Sequence, residues 1–255
     1  QTWPVKPVRV LVSSGAGGPP DIMMRGLAVP LRQVLGQPVI VEDVPGADGI
    51  VAAQTQARAA PDGYTLLLTS ANVASLNSVL YSNLSYNPRS DFTPVVLLAY
   101  FNTSFVVHPS VGANSLRELF ELAKAKPGSI NFGTGGTAQT NNFYAEWFKN
   151  ARGIPFYNIP YKGNPQAFAA VLAGEVQLTT FPMGVTAAMA KAGKVKLLAA
   201  VAAKRLPDYP DVPVVTEEGV DLVIRNWLGI FARAGTPAAI VQRANSSFVQ
   251  IGRAH

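Results

Sequence analysis

The sequence predicts an α/β protein, with mainly parallel strands and helices on the sheet faces. Two observations carry this. Apolar, β-branched runs alternate with helix-like segments from the start: Val8 to Val12, Ile22 to Leu35, Val39 to Glu42, Ile50 to Ala60 and Tyr64 to Ser70. A glycine-rich strand-to-helix turn, Ser13-Ser14-Gly15-Ala16-Gly17-Gly18-Pro19-Pro20-Asp21, has a counterpart in the second half of the chain, Gly133-Thr134-Gly135-Gly136-Thr137-Ala138-Gln139-Thr140.

Each turn reads two ways. Where a strand runs through glycines into a helix, backbone N–H groups and the positive end of the helix dipole converge, and an anion can be held without a basic side chain. Equally, the glycines can simply let the chain turn, with Asp21 capping the first helix, Pro19 and Pro20 stiffening its entry, and Thr140 capping the later one. The occurrence of two such turns, the second rich in hydroxyls, suggests donors offered to one ligand from two places. The first turn does not fit a nucleotide loop: no Lys follows its glycines, and the sixth position from Gly15 is Pro20. In parallel sheets ligands sit beyond the carboxyl ends of the strands, which adds Ser70 and Asn72 to the candidates.

Composition narrows the function classes. The chain has 255 residues, 48% hydrophobic and 14% charged, enough for one large or two medium domains with a real core. Its net charge of +6 comes from scattered Lys and Arg, which favours mild attraction of anions and speaks against nucleic-acid binding. There is no cysteine, so disulfides, thiolate metal sites and a cysteine nucleophile are excluded. The histidines are His108, in a strand-to-Pro turn, and His255 at the end, which leaves no metal cluster and no internal triad; no metal, cofactor or catalytic residue is expected. No apolar run is long enough to span a membrane, and a chain beginning Gln1-Thr2-Trp3-Pro4 reads as processed after signal-peptide removal.

The remaining elements follow in order. Pro61-Asp62-Gly63 stops the second helix, Tyr81 to Asp91 is a polar turn region, and Thr93 to Leu98 and Phe105 to Val107 are strands. Ser115 with Glu118 starts a helix as a capping box, ended by Pro127-Gly128. Ile130 to Phe132 is a strand, Asn141 to Asn150 a helix, Phe156 to Pro160 a strand and Pro165 to Ala173 a helix. Val176 to Phe181 and Val195 to Ala202 are strands around the helix Val185 to Ala192; Arg205 to Pro213 is a proline-rich excursion and Val215 to Gly219 a short helix. Trp227 to Ala232 is a returning strand, and Thr236-Pro237 caps and opens the last helix.

The chain resembles the Bug (TctC-like) family of solute-binding proteins that serve tripartite tricarboxylate transport. The resemblance rests on Trp3-Pro4-Val5-Lys6-Pro7-Val8-Arg9 with Ala16 to Asp21; Leu35-Gly36-Gln37-Pro38-Val39; Ala60-Pro61-Asp62-Gly63-Tyr64-Thr65-Leu66; Tyr161-Lys162-Gly163; Pro210-Asp211-Val212-Pro213; and Ala234-Gly235-Thr236-Pro237. It implies a two-lobed periplasmic binding protein (Venus-flytrap) fold, each lobe a mixed, mainly parallel sheet flanked by helices, with residues 1–102 plus 227–255 as the first lobe and 103–226 as the second. It implies a monomer in the periplasm that captures a small di-, tri- or aromatic carboxylate in the cleft between lobes and hands it to membrane transporter subunits. The ligand-binding residues expected on this basis are Ser13, Ser14, Gly15, Ala16, Gly17, Ser70, Asn72, Thr134, Gly136, Thr137, Ala138, Gln139, Thr140, Tyr161 and Phe181. Family chains usually continue past the helix at Thr236, so the C-terminal part of the first lobe is expected to be incomplete here.

The chain departs from the family pattern in three places. Ser13-Ser14-Gly15 stands where Pro-Phe-Pro is usual, Gln139 where a small residue is usual, and Pro182 where a polar or acidic residue often follows the aromatic. The last departure favours plain or aromatic carboxylates over amino acids. Two rival readings use the same residues. A sensor for a signalling partner needs the same cleft, and an enzyme would need a base beside Ser13, Ser14 or Tyr161, where only Lys162 is near in sequence.

Overall fold

The computed structural model describes residues 3–252, so Gln1, Thr2 and His255 lie outside the described residues. The chain divides into two compact units, one formed by the residues up to Tyr100 together with those from Trp227 on, the other by Phe101–Asn226.

In the first unit, β1 (Val8–Val12) pairs in parallel with β2 (Val39–Asp43) on one side and β3 (Thr65–Thr69) on the other. Its Val8, Val10, Leu11 and Val12 are all buried, which is why an apolar run rather than an alternating one marks this central strand. The sheet continues through β10 (Asn226–Arg233) to β4 (Phe92–Phe101) in the order β2-β1-β3-β10-β4. β10 runs antiparallel to β3, with Ile230 opposite Leu68, so the sheet is mixed. Helix α1 (Pro19–Leu35) begins three residues earlier than the pattern predicts. Gly18 is its N-cap and two prolines fill the positions whose N–H groups have no intrahelical acceptor anyway. It ends where Gly36, at φ 71°, sends its N–H back to the Arg32 carbonyl.

Helix α2 (Ile50–Ala57) stops short of the predicted Ala60. The segment after β3 is more ordered than the sequence suggests: a π-helical turn over Asn72–Leu76 runs directly into α3 (Asn77–Leu80), with α4 (Pro88–Asp91) following. The core joins Leu11 and Leu67 of the sheet to Ala52 and Ala53 of α2 and to Val73, Tyr86 and Phe92. The last helix, α9 (Ala238–Gly252), packs on α1. Thr236 does not start it as a cap; its hydroxyl donates backwards to the Arg233 carbonyl at 2.7 Å.

In the second unit the order is β7-β6-β8-β5-β9, with β5 (Thr103–Val107), β6 (Asn131–Thr134), β7 (Tyr157–Pro160), β8 (Leu178–Pro182) and β9 (Lys196–Ala200). β6 pairs in parallel with β7 and β8, whereas β5 runs antiparallel to both its neighbours. Every residue of β5 is buried, and its side chains divide between two cores. Phe105 and Val107 face the aromatic cluster built with α5 (Leu116–Ala125) and α6 (Thr140–Arg152), including Tyr144, Phe148 and Phe132. Val106 faces Phe168 and Val171 of α7 (Asn164–Leu172), beside residues of α8 (Met183–Lys191). Helices therefore cover both faces, as a strand apolar on both sides requires.

Ser115 caps α5 by accepting from the Glu118 N–H at 3.1 Å, and the Glu118 carboxylate accepts from the Asn114 N–H at 2.7 Å. The predicted helix at Val215 to Gly219 is instead a run of hydrogen-bonded turns, closed by the Val220 N–H on the Val215 carbonyl. The Glu217 carboxylate accepts from the Val214 N–H and from Arg205 within this run.

Candidate functional site

The first turn is built at the carboxyl ends of β1 and β3. Ser13 and Thr69 share a hydroxyl–hydroxyl bond of 2.8 Å, the Ser14 hydroxyl oxygen is buried with no partner among the described residues, and Gly15, Ala16 and Gly17 are exposed. Gly17 needs its left-handed φ of 76° to aim its N–H at Asp21 Oδ2, 2.8 Å away. Asp21 is not the cap of α1 but lies in its first turn, 4% exposed, and forms an ion pair with Arg25, Nε to Oδ1 at 2.5 Å. Arg25 reaches on to Asp43 at 2.7 Å. Burial pushes the Asp43 carboxyl above its usual range against the opposing pull of Arg25, and the bond to Asp43 raises the guanidinium further. The N-terminus of α1 thus already holds a carboxylate of the protein's own.

Ser70 and Asn72 bond to each other, and Asn72 Nδ2 donates to the Asp48 carbonyl at 3.0 Å. The same carbonyl receives Asn77 Nδ2, and the Asp48 carboxylate accepts from the Tyr81 hydroxyl at 2.6 Å. Ala47 and Asp48 sit at positive φ, 46° and 53°, a conformation these bonds hold in place. A Cβ on the following Gly49 would come within 3.2 Å of Ser13 Cβ, so this loop packs on the end of β1. Sequence reasoning passed over Asp48; the Asp48-Gly49 pair after β2 was its signal. A cavity of about 350 Å³ elsewhere in this unit, between β4 and α9 and lined by Val95, Val241 and Asn245, contains none of the turn residues.

The second turn leads from β6 into α6. Gln139, not Thr140, is the N-cap residue of α6, and its side chain does not cap the helix. Thr140 is the first helical residue, so its N–H has no intrahelical acceptor, and its hydroxyl donates to Asn226 Oδ1 at 2.8 Å. Gly136 takes φ 128°; Thr137 is exposed while Ala138 is buried. No acidic residue lies in the first turn of α6.

Thr134 is completely buried, and its role is internal. Asn142 Nδ2 donates to the Thr137 carbonyl, which can only accept; Asn158 Nδ2 then donates to Asn142 Oδ1 at 2.6 Å and the Thr134 hydroxyl to Asn158 Oδ1 at 2.7 Å. Its proton is committed to holding the turn. The Tyr161 N–H donates to the Thr134 carbonyl at 2.7 Å, and the Tyr161 hydroxyl is shifted up by burial and by the charge of Glu175. Phe181 is a core residue, 7% exposed and stacked flat on Phe168 at 4.4 Å, because the residues of β8 from Leu178 to Phe181 are all buried. The amides Asn141, Asn142, Asn158, Asn164 and Asn226 that frame this turn escaped the sequence reading; the Asn141-Asn142 pair at the helix start was the visible sign.

No group of His, Asp and Glu able to hold a metal occurs among the described residues, and no helix there is long and apolar enough to cross a membrane. An α/β chain of two sheet-and-helix units, entered through β4 and re-entered through β10, is built as a solute-binding protein of the periplasmic type. Comparison with known proteins gives the family: the model described as tripartite tricarboxylate transporter family receptor, TctC, matches residues 23–254, and the chain belongs to this family. Among solved structures it is similar to the periplasmic binding protein BugD, at 33% identity and TM-score 0.90 over 99% of this chain and 84% of that one. It is similar to Rhodopseudomonas palustris Rpa4515 with adipate, at 29% identity and TM-score 0.91 over 97% and 83% of the two chains. It is likewise similar to MatC from Rhodopseudomonas palustris with bound malate, at 29% identity and TM-score 0.89 over 97% and 85%.

Proposed function

We propose that this protein is a periplasmic receptor that captures a small dicarboxylate and delivers it to membrane transporter subunits, acting as a monomer without catalysing a reaction. The observation that carries this reading is the contrast between the two helix-opening turns. Helix α1 opens on Asp21, a built-in anion, whereas α6 opens on Gly136 to Thr140 with no acidic residue in its first turn. Donors at a helix N-terminus without an internal anion suit a ligand carboxylate, through charge-assisted bonds stronger than neutral ones. Family membership and the adipate and malate of similar proteins support the same ligand class.

Thermal denaturation against mono-, di-, tri- and aromatic carboxylates tests the reading. A dicarboxylate at a hundredfold its dissociation constant stabilises the native state by about 2.7 kcal/mol. Expected is a raised melting temperature with a dicarboxylate and recovery of that compound unchanged. Chemical conversion of the bound compound, or no shift with any of the panel, overturns it.

A further inference from the structure

Gln139 stands at the end of a hydrogen-bond chain whose direction is set by a backbone amide. The Gly135 N–H can only donate, and it donates to Asn141 Oδ1 at 3.1 Å. The other end of that amide, Nδ2, donates to Asn164 Oδ1 at 2.9 Å. Asn164 Nδ2 in turn donates to Gln139 Oε1 at 3.2 Å. A carboxamide has one accepting oxygen and one donating NH₂, so each link orients the next. Amides that are ambiguous one at a time are settled by the chain they form.

The consequence lies at the outer end. Asn141 is 1% exposed and locked, whereas Gln139 is only half-buried, with its oxygen turned inward and its NH₂ turned away from the chain. No described residue accepts from Gln139 Nε2. A second amide tells the same story from the other side of the turn. Asn226 takes the Thr140 hydroxyl on its oxygen, and its Nδ2 is buried with no partner among the described residues. A buried donor left unmatched is costly unless something else supplies the acceptor.

We infer that Gln139 is a specificity-determining donor to the ligand carboxylate, and that Asn141 and Asn164 are positioning residues that keep its NH₂ facing the ligand. The inference rests on the receptor reading above and narrows it. With its NH₂ outward Gln139 presents a donor rather than an acceptor, so a carboxylate is favoured there over the corresponding amide or an ammonium group. Gly135 is part of the device: a Cβ there would collide with the Asn164 side chain and stand 2.5 Å from its backbone nitrogen, breaking the chain at its middle.

The test is calorimetric titration with adipate and with malate on the unmodified protein and on Gln139→Met, Gln139→Glu, Asn164→Asp and the Asn164→Asp/Gln139→Met double variant, with circular dichroism as the folding control. Gln139→Met removes the donor at similar length and weakens binding about fivefold, and Gln139→Glu places a like charge there and weakens it more than about tenfold near pH 8. Asn164→Asp can still accept from Asn141 but cannot donate, which turns Gln139 around; it matches Gln139→Met, and the double variant loses no more than either alone. The penalty of Gln139→Glu relative to the unmodified protein shrinks toward about pH 4.5 as the new carboxyl takes up a proton and becomes a donor.

Binding of either ligand by the unmodified protein with Gln139→Met within twofold of it, or a Gln139→Glu penalty that does not move with pH, overturns the inference and leaves the receptor reading standing. Failure of the unmodified protein to bind both ligands overturns the receptor reading for them and the inference with it.

Discussion

The Asp21 carboxylate accepts the Gly17 N–H at 2.8 Å, so helix α1 begins on an anion drawn from its own first turn. The two glycine-rich turns, alike in sequence, are therefore unlike in chemistry: one is internally neutralised by Asp21, whereas the other leads into a helix with no acidic residue in its first turn. Asp21 ties the turn to Arg25 as well.

Asp21→Asn removes the charge between the Gly17 N–H and Arg25 while keeping the shape. The expected loss is about 1 to 3 kcal/mol, as for other hydrogen bonds to a buried charged group. Urea unfolding measures it, and a midpoint equal to that of the unmodified protein rules the arrangement out.

At the second turn, Gly136→Val introduces a branched side chain at φ 128°, where only glycine is comfortable. Carboxylate affinity is expected to fall more than about tenfold, with a stability loss of about 1 to 3 kcal/mol from local strain. Titration calorimetry reads the first quantity and thermal unfolding the second; retained affinity would move the site away from this turn.

Phe181 belongs to the core, stacked on Phe168 with ring planes 4° apart. Phe181→Leu is expected to cost about 1 to 3 kcal/mol in stability through lost packing. Ligand affinity, measured well below the melting temperature, is expected to stay within twofold; a larger drop would return Phe181 to the ligand.

Tyr144 is fully buried, its hydroxyl donating to the Leu222 carbonyl at 3.0 Å and accepting from the Ile224 N–H, and burial pushes its pKa up to about 12 from 10.0. A proton held more tightly in the folded state stabilises the fold below the unfolded value. That contribution is lost as pH rises from 10.0 towards about 12. Tyr86, also raised to about 12 by burial, adds to the same window. Stability is thus expected to fall through this range, and Tyr144→Phe to flatten the fall while lowering stability at neutral pH by about 1 kcal/mol. Chemical unfolding across alkaline pH measures both; an identical slope in the variant refutes the assignment.

The sequence alone determined the class of fold, most strand positions, the glycine turns and the Ser115 cap, because these depend on apolar periodicity and on residues three or four apart. Phe181 escaped it because β8 is buried from Leu178 to Phe181, so alternation could not tell a core face from a ligand face. The antiparallel seat of β10 beside β3, the turning of Asp21 onto Gly17 and the direction of the amide chain were decided only by tertiary structure. Asn164 lies 23 residues from Asn141 and 25 from Gln139, and Asn226 lies 86 from Thr140. Hydrogen-bond polarity passes through such partners in space, and a linear pattern carries no record of which oxygen faces which N–H.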